Sequence, residues 1–199
     1  MLVLGVDPGM RNFGAALLRV PAGAQHPRDC EVLDMTSLWT DSRANDSGWG
    51  HRKSDSHADR TRLHVRSVRD MVGTSRPCLV CYEAFSSDRP VVMQQMGFVI
   101  GAMVALADTW DAPLISLTPK ELKRAAVGRA SASKPEVMAG VAKIMGPANA
   151  AAMADLMRPI PASRKDHAYD AVAAVMAGWD NALFRAARGA HLAAASTKR

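Results

Sequence analysis

Acidic and imidazole side chains that suit a divalent metal site occur at three separate places in the sequence. Asp7 ends an unbroken apolar run, and Glu83 ends a second run of the same kind. His167 and Asp170, three residues apart, lie at the polar start of a segment that becomes apolar and predicts a helix. Because residues three or four apart share one helix face, Asp166 is an alternative to His167 as the partner of Asp170.

These residue types favour Mg²⁺ or Mn²⁺ over Zn²⁺, because oxygen ligands without interleaved cysteines are typical of sites for hard cations. Two such ions, about 3.5–4 Å apart, can catalyse hydrolysis of a phosphodiester. One binds the oxygen of the attacking water, and the other binds the oxygen that leaves. Asp7 is best placed to bridge the two ions. His167 is then either a ligand of one ion or the base that acts on the water.

Each of these residues also has a simpler interpretation. Asp7 can accept hydrogen bonds from its own Pro-Gly turn, and Glu83 can form an ordinary ion pair. His167 can be an exposed side chain, and Asp170 a carboxylate stabilised by the helix dipole. However, a lone buried carboxylate is costly, and the nearest basic residue after Asp7 is Arg11. The coincidence of all four residues favours the metal site.

The composition predicts a basic protein of one domain that binds a polyanion. The chain has 199 residues, 48% of them hydrophobic, and a formal net charge of +6. These values suit a single α/β domain with an anionic partner. The first apolar run is short and interrupted by Asp7, so we expect neither a signal peptide nor a membrane span. We therefore expect a cytoplasmic protein.

The order of predicted elements indicates a ribonuclease H-like α/β fold, with a mixed five-stranded sheet flanked by helices. Apolar or alternating patterns predict strands at residues 2–7, 13–20, 30–38, 78–83 and 112–117. The first three strands are antiparallel and the remainder parallel. In such a sheet the ends of the first and fourth strands are adjacent, which brings Asp7 beside Glu83. A predicted helix over residues 165–177 then adds side chains from its first turns.

We expect residues 1–184 to form one domain that contains a mobile surface insert at residues 40–57. The insert is rich in charged residues and glycine, and residues 185–199 form a basic tail that we expect to be frayed. Gly97 and Gly101 lie one turn apart on a predicted helix. They leave a flat strip that the sheet or a second subunit can approach closely.

Several segments resemble the motifs of the RuvC-type Holliday junction resolvases. The acidic segments that match, in order, are residues 6–14, 82–85 and 167–173. Gly97, Gly101 and the lysine-bearing stretch 123–134 match as well. The similarity extends from Met1 to about Gly178, and several motifs in the right order are more specific than any one alone.

The resemblance implies a homodimer of ribonuclease H-like subunits, whose two sites make paired symmetric nicks in a four-way DNA junction. It implies that Mg²⁺ or Mn²⁺ is the cofactor, with two ions in each site. It also implies that the protein acts in a bacterial or phage-infected cell. The catalytic and metal-binding residues that it implies are Asp7, Glu83, His167 and Asp170. It favours His167 over Asp166, although some family members have Asp where this chain has His167.

The resemblance also implies that Lys123 and Lys134 bind DNA near the cut phosphate, since lysine is a flexible point charge for phosphate oxygens. The other predicted DNA-binding residues are basic and lie near the same motifs: Arg11, Arg124 and Arg129. Phe85 stands close to the place where family members have an aromatic residue that stacks at the junction centre. Phe85 lies one position nearer to the catalytic Glu than the aromatic residue of the family pattern. The alternative to a stacking role is that the Phe85 side chain faces the core.

Two other functions fit parts of the sequence. The same chemistry suits a branched-DNA or flap endonuclease of a phage or mobile element, with a broader substrate range. Actin-like and sugar-kinase ATPases also open with a strand, an Asp and a Gly turn, as in Asp7-Pro8-Gly9, but those folds need a second such domain. A branch-migration helicase is a further possible partner that the sequence does not identify.

Overall fold

A five-stranded mixed sheet forms the centre of the protein, for which a computed structural model describes residues 1–40, 53–85 and 88–197. Its strands are β1 (Leu2–Asp7), β2 (Asn12–Arg19), β3 (Glu31–Trp39), β4 (Leu79–Glu83) and β5 (Leu114–Leu117). The order across the sheet is β3-β2-β1-β4-β5. Strands β1, β2 and β3 pair antiparallel, whereas β4 pairs parallel with β1 and with β5. The predicted sheet is confirmed.

Helices cover both faces of this sheet. They are α1 (Lys53–Val72), α2 (Pro90–Asp108), α3 (Pro119–Val127), α4 (Lys134–Leu156), α5 (Asp166–Gly178) and α6 (Ala182–Ser196). Helix α3 begins with a reciprocal cap in which Thr118 and Glu121 each bind the other's backbone N–H. Helix α4 bends at Gly146, whose φ of 82° interrupts the helical conformation.

The sheet separates two hydrophobic cores. Val3 of β1 packs into the core that contains α3, α4 and α5, and its neighbour Leu4 packs into the core that contains α1 and α2. Both side chains are at most 1% exposed. Because successive residues of a strand point to opposite faces, an apolar run without alternation is expected for a strand buried on both sides.

Helix α5 lies unusually close to the sheet, because glycines face it. A Cβ atom on Gly5 would lie 2.0 Å from the carbonyl oxygen of Ala171, and one on Gly14 would lie 2.0 Å from that of His167. No side chain fits in either place without a backbone shift. These contacts bring the first turn of α5 to the ends of β1 and β2, where the acidic residues lie.

Part of the predicted insert is ordered secondary structure. The prediction of an insert over residues 40–57 is wrong at both ends, because α1 begins at Lys53 and Thr40 is only 6% exposed. The hydroxyl of Thr40 donates to the carbonyl of Met10 over 2.8 Å, and its backbone N–H donates to that of Arg11 over 2.9 Å. The rest of the insert, residues 41–52, lies outside the described residues.

The predicted frayed tail is also wrong for most of its length, since α6 continues to Ser196. Phe184, at the start of α6, is fully buried in the core beside α5. Further along, His191 Nε2 lies 2.8 Å from the N-terminal amine. The buried Phe184 ring and the contact of His191 fix α6 against the rest of the domain. The alanine-rich composition of this segment had suggested little packing.

Candidate active site

The ends of two neighbouring strands and the start of one helix form the candidate site. Val6 of β1 is aligned with Tyr82 of β4, so Asp7 and Glu83, one residue further on, leave the sheet side by side. His167 and Asp170 lie in the first turns of α5, which Gly14 allows to approach this edge. All four predicted residues line one cavity of about 370 Å³.

Three of these residues are close enough to share one ion. One ligand atom from each of Asp7, His167 and Asp170 lies within 4.8 Å of the other two. The shortest contact is the 2.5 Å hydrogen bond between Nδ1 of His167 and Oδ2 of Asp7. Glu83 lies outside this tight group but faces the same cavity. The donor set of three carboxylates and one imidazole therefore suits a divalent cation.

The electrostatics of the site also fit a bound cation. Burial, followed by the charges of Asp7 and Asp170, raises the pKa of Glu83 to about 8. Burial, followed by the charge of Asp7, raises the pKa of Asp170 to about 7. Crowded carboxylates with raised pKa values resist being ionised together, and a divalent cation among them removes that repulsion.

His167 responds to the same charges in the opposite direction. Burial lowers the pKa of its imidazole, but the hydrogen bond and the charge of Asp7 outweigh burial, and the net pKa is raised. A protonated imidazole would thus partly offset the negative charge of the cluster. In a metal-bound site the imidazole must instead be neutral at the atom that binds the ion.

Asp166 belongs to the surroundings of the site rather than to the metal cluster. Its side chain forms an ion pair with Lys134, and its Oδ2 is 3.8 Å from Nε2 of His167. Of the two residues that the helical spacing left open, His167 is the one that contacts Asp7. Sequence reasoning missed the pair of Asp166 and Lys134, because these residues are 32 positions apart.

The structure brings only some of the predicted DNA-binding residues to the cavity. Lys134, Arg11 and Phe85 line it, and Phe85 is 39% exposed, so the core-facing alternative for Phe85 is wrong. Lys123 is near enough for its positive charge to lower the pKa of Glu83.

The other two arginines of the predicted set lie elsewhere. Arg124 lines a separate groove together with Trp179 and Asp180. Arg129 forms an ion pair with Glu136 near the start of α4. Neither side chain is among those that line the acidic cavity, so their predicted contact with DNA has no support from the geometry of that cavity.

The sheet order and the acidic cluster at the ends of β1 and β4 define a ribonuclease H-like nuclease class. No family model matches the chain. Crossover junction endodeoxyribonuclease RuvC of Chlorobium phaeobacteroides is 30% identical over 146 residues, which are 73% of this chain and 70% of the relative. The RuvC of Parasynechococcus marenigrum is 29% identical over 183 residues, which are 90% of this chain and 98% of the relative.

Solved structures agree in fold. RuvC of Thermus thermophilus in complex with a Holliday junction substrate has a TM-score of 0.64 at 20% identity, covering 95% of this chain and 97% of that chain. The yeast mitochondrial Holliday junction resolvase Ydc2 has a TM-score of 0.56 at 12% identity, covering 99% of this chain and 86% of that chain. The protein belongs to the RuvC family of crossover junction endodeoxyribonucleases. This membership contradicts the actin-like alternative.

Proposed function

We propose that the protein resolves four-way DNA junctions by hydrolysing phosphodiester bonds at paired, symmetric positions. One observation carries the proposal: side chains from the ends of β1 and β4 and from α5 converge on one cavity, in a chain that belongs to the RuvC family. The net charge of +6 suits a DNA substrate. For such an enzyme we infer a cytoplasmic location in a bacterial or phage-infected cell.

We propose Asp7, Glu83, His167 and Asp170 as the ligands of Mg²⁺ or Mn²⁺, with two ions in each site. When bound, such ions polarise the phosphate and lower the pKa of water, which supplies the nucleophile. Asp7 neighbours Glu83 at the sheet edge and contacts His167, so it is the ligand that two ions would share. We favour His167 as a ligand through Nδ1, because that nitrogen already faces Asp7.

The experiment that tests this proposal compares cleavage of labelled four-way, three-way and flap substrates with Mg²⁺ present. We expect paired symmetric nicks, confined to the four-way junction. Comparable cutting of flaps or three-way branches would instead establish the broader branched-DNA nuclease, and an absence of cutting on every substrate would refute the nuclease assignment.

We propose that Lys134 binds the DNA backbone beside the reacting phosphate. The Lys134 side chain is 62% exposed and reaches the acidic cavity, where Asp166 holds its ammonium group. The carboxylates of Asp166, Asp170 and Asp7 outweigh the effect of partial burial and raise the pKa of Lys134, which keeps it positive. A fixed positive charge at the edge of a negative cluster reduces the repulsion that DNA meets there.

We predict that Lys134→Ala weakens junction binding and slows cleavage, and that it lowers the slope of log affinity against log salt by about one. Binding titrations between about 50 and 200 mM salt measure that slope. Lys143→Ala is the matched control, because Lys143 is an exposed lysine of the same helix that lines a different groove. Equal salt slopes for wild type and Lys134→Ala would remove Lys134 from the DNA-binding site.

We also propose that the protein is a homodimer that uses the outer face of α2. Four residues at helical spacing form an exposed strip on this face: Gly97, Phe98, Gly101 and Val104. A Cβ atom on either glycine would meet nothing within 4 Å, so neither glycine is required by packing within the described chain. Two chains that make symmetric nicks need two sites, which a dimer provides.

Helix α2 is also the one helix in the described ranges that is long and apolar enough to cross a membrane. The mean hydropathy of its apolar window is 1.6, and 22% of the window is buried. Its buried residues, which include Val99 and Met103, pack on the sheet. We therefore propose a second copy of this chain, rather than lipid, as the occupant of the exposed strip.

We predict that Val104→Glu weakens the dimer at least about tenfold, because burying an unpaired carboxylate in an apolar interface is unfavourable. Val104 is 45% exposed, and Leu183 of α6 is 48% exposed, so Leu183→Glu is a matched control that should leave the dimer intact. Light scattering over a range of protein concentrations measures the association. Unchanged association of Val104→Glu would show that α2 is not the interface.

A further inference from the structure

An exposed tryptophan and an arginine are stacked at the end of β3. The guanidinium carbon of Arg164 lies 4.5 Å from the centre of the Trp39 ring. Trp39 is 44% exposed, although tryptophan is usually well buried. Arg164 ends a short 3₁₀ helix, Ala162–Arg164, and its carbonyl accepts a 2.5 Å hydrogen bond from the hydroxyl of Ser37 in β3.

This Trp39–Arg164 pair lies next to the candidate active site. Trp39 is aligned across the sheet with Asn12, which lines the acidic cavity. Arg164 is three residues before His167, so their Cα atoms are at most about 10 Å apart. Phe85 lines the acidic cavity, whereas Trp39 lines a neighbouring groove together with Thr40, whose hydroxyl bonds the carbonyl of the cavity residue Met10.

The charge of Arg164 is not balanced by an ion pair, in contrast to that of several other arginines. Arg19, Arg129 and Arg158 each form an ion pair with a carboxylate. Within the described ranges, no carboxylate lies within salt-bridge distance of Arg164. A guanidinium that lies flat on an aromatic ring keeps its N–H edge free to bind a phosphate.

A second arginine-tryptophan pair shows what a purely structural stack looks like in this protein. Arg188 lies 4.1 Å above the ring of Trp179, which is only 5% exposed. The indole N–H of Trp179 donates to the carbonyl of Gln25, and Arg188 donates to two backbone carbonyls. In the part of the chain that the structure describes, the indole N–H of Trp39 has no such partner. The Trp39–Arg164 pair therefore has N–H donors and part of an indole surface that no other described residue uses.

We propose that Trp39 and Arg164 form a DNA-binding subsite next to the reacting phosphate. In this inference, which rests on the proposed function, Arg164 binds a backbone phosphate on the β3 side of the cavity. A base of an unpaired or unstacked nucleotide stacks on the part of the indole that Arg164 leaves exposed. Base stacking on aromatic rings and arginine binding to phosphate are common contacts with unpaired strands.

The test uses four-way junctions that carry 2-aminopurine at single positions on either side of the cut, with EDTA present to prevent cleavage. Stacking quenches 2-aminopurine, so we expect quenching at one position that Trp39→Leu abolishes and Trp39→Phe largely retains. Trp39→Leu should also weaken junction binding about tenfold. Arg164→Gln should weaken binding several-fold and lower the salt slope by about one.

Arg188→Gln is the matched control, because it removes the same charge from the other stack and should leave quenching and binding unchanged. The inference is overturned if wild type binds and cuts junctions while Trp39→Leu and Arg164→Gln bind within about twofold of wild type and no position responds to Trp39. Should Trp39→Leu fail to fold by circular dichroism, Trp39→Phe and Arg164→Gln still decide the result. A wild-type protein that neither binds nor cuts junctions would instead overturn the proposed function.

Discussion

Asp7→Asn is expected to lower the rate of junction cleavage at least about 1,000-fold, because a carboxylate that holds the proposed ions contributes several kcal/mol of charge stabilisation. The amide has the same size but no negative charge. It also removes the partner of His167, whose raised pKa depends on Asp7. Binding should survive, since the basic residues around the cavity are unchanged.

The measurement pairs a cleavage assay in Mg²⁺ with gel-shift binding in Ca²⁺ or EDTA. Asp180→Asn is the matched control, because Asp180 is an exposed aspartate in a groove lined by Trp179 and Arg124, apart from the acidic cavity. The Asp180→Asn variant should cleave junctions at the wild-type rate. Loss of junction binding or of thermal stability in Asp7→Asn would mean that Asp7 supports the fold rather than the reaction.

Gly14→Ala is expected to lower both stability and cleavage, because the new Cβ would lie 2.0 Å from the carbonyl oxygen of His167. The start of α5 must move outward, carrying His167 and Asp170 away from Asp7. Overpacking of this kind costs about 1–3 kcal/mol, and a misplacement of about 1 Å in an active site can lower the rate about 100-fold.

Urea unfolding and Mg²⁺-dependent cleavage measure the two effects of Gly14→Ala. Gly189→Ala in α6 makes the same substitution where a Cβ atom would meet nothing within 4 Å. It should keep full activity and gain up to about 1 kcal/mol, the difference in helix propensity between the two residues. Full stability together with full activity in Gly14→Ala would contradict the close approach of α5.

The sheet was predictable because its strands have strong local patterns. Each has an apolar or alternating pattern and ends at a turn or a polar residue. The shift from hairpins to strand-helix alternation indicates a mixed sheet. The same patterns place Asp7 and Glu83 at strand ends. The start of α1 at Lys53 and the whole of α6 were missed. Charged or alanine-rich segments become helical partly through tertiary contacts, such as the packing of Phe184 in the core.

Residue identity and spacing were enough to predict Asp7, Glu83 and Asp170 as candidate ligands, the preference for hard cations and an anionic partner. Spacing along a helix could not choose between Asp166 and His167, because both share a face with Asp170. Which of the two faces Asp7 depends on the rotation of α5 about its axis, and in the fold the backbone of His167 packs on Gly14. The pairing of Asp166 with Lys134 and the stack of Trp39 with Arg164 likewise join residues distant in sequence, and packing of the helices on the sheet brings them together.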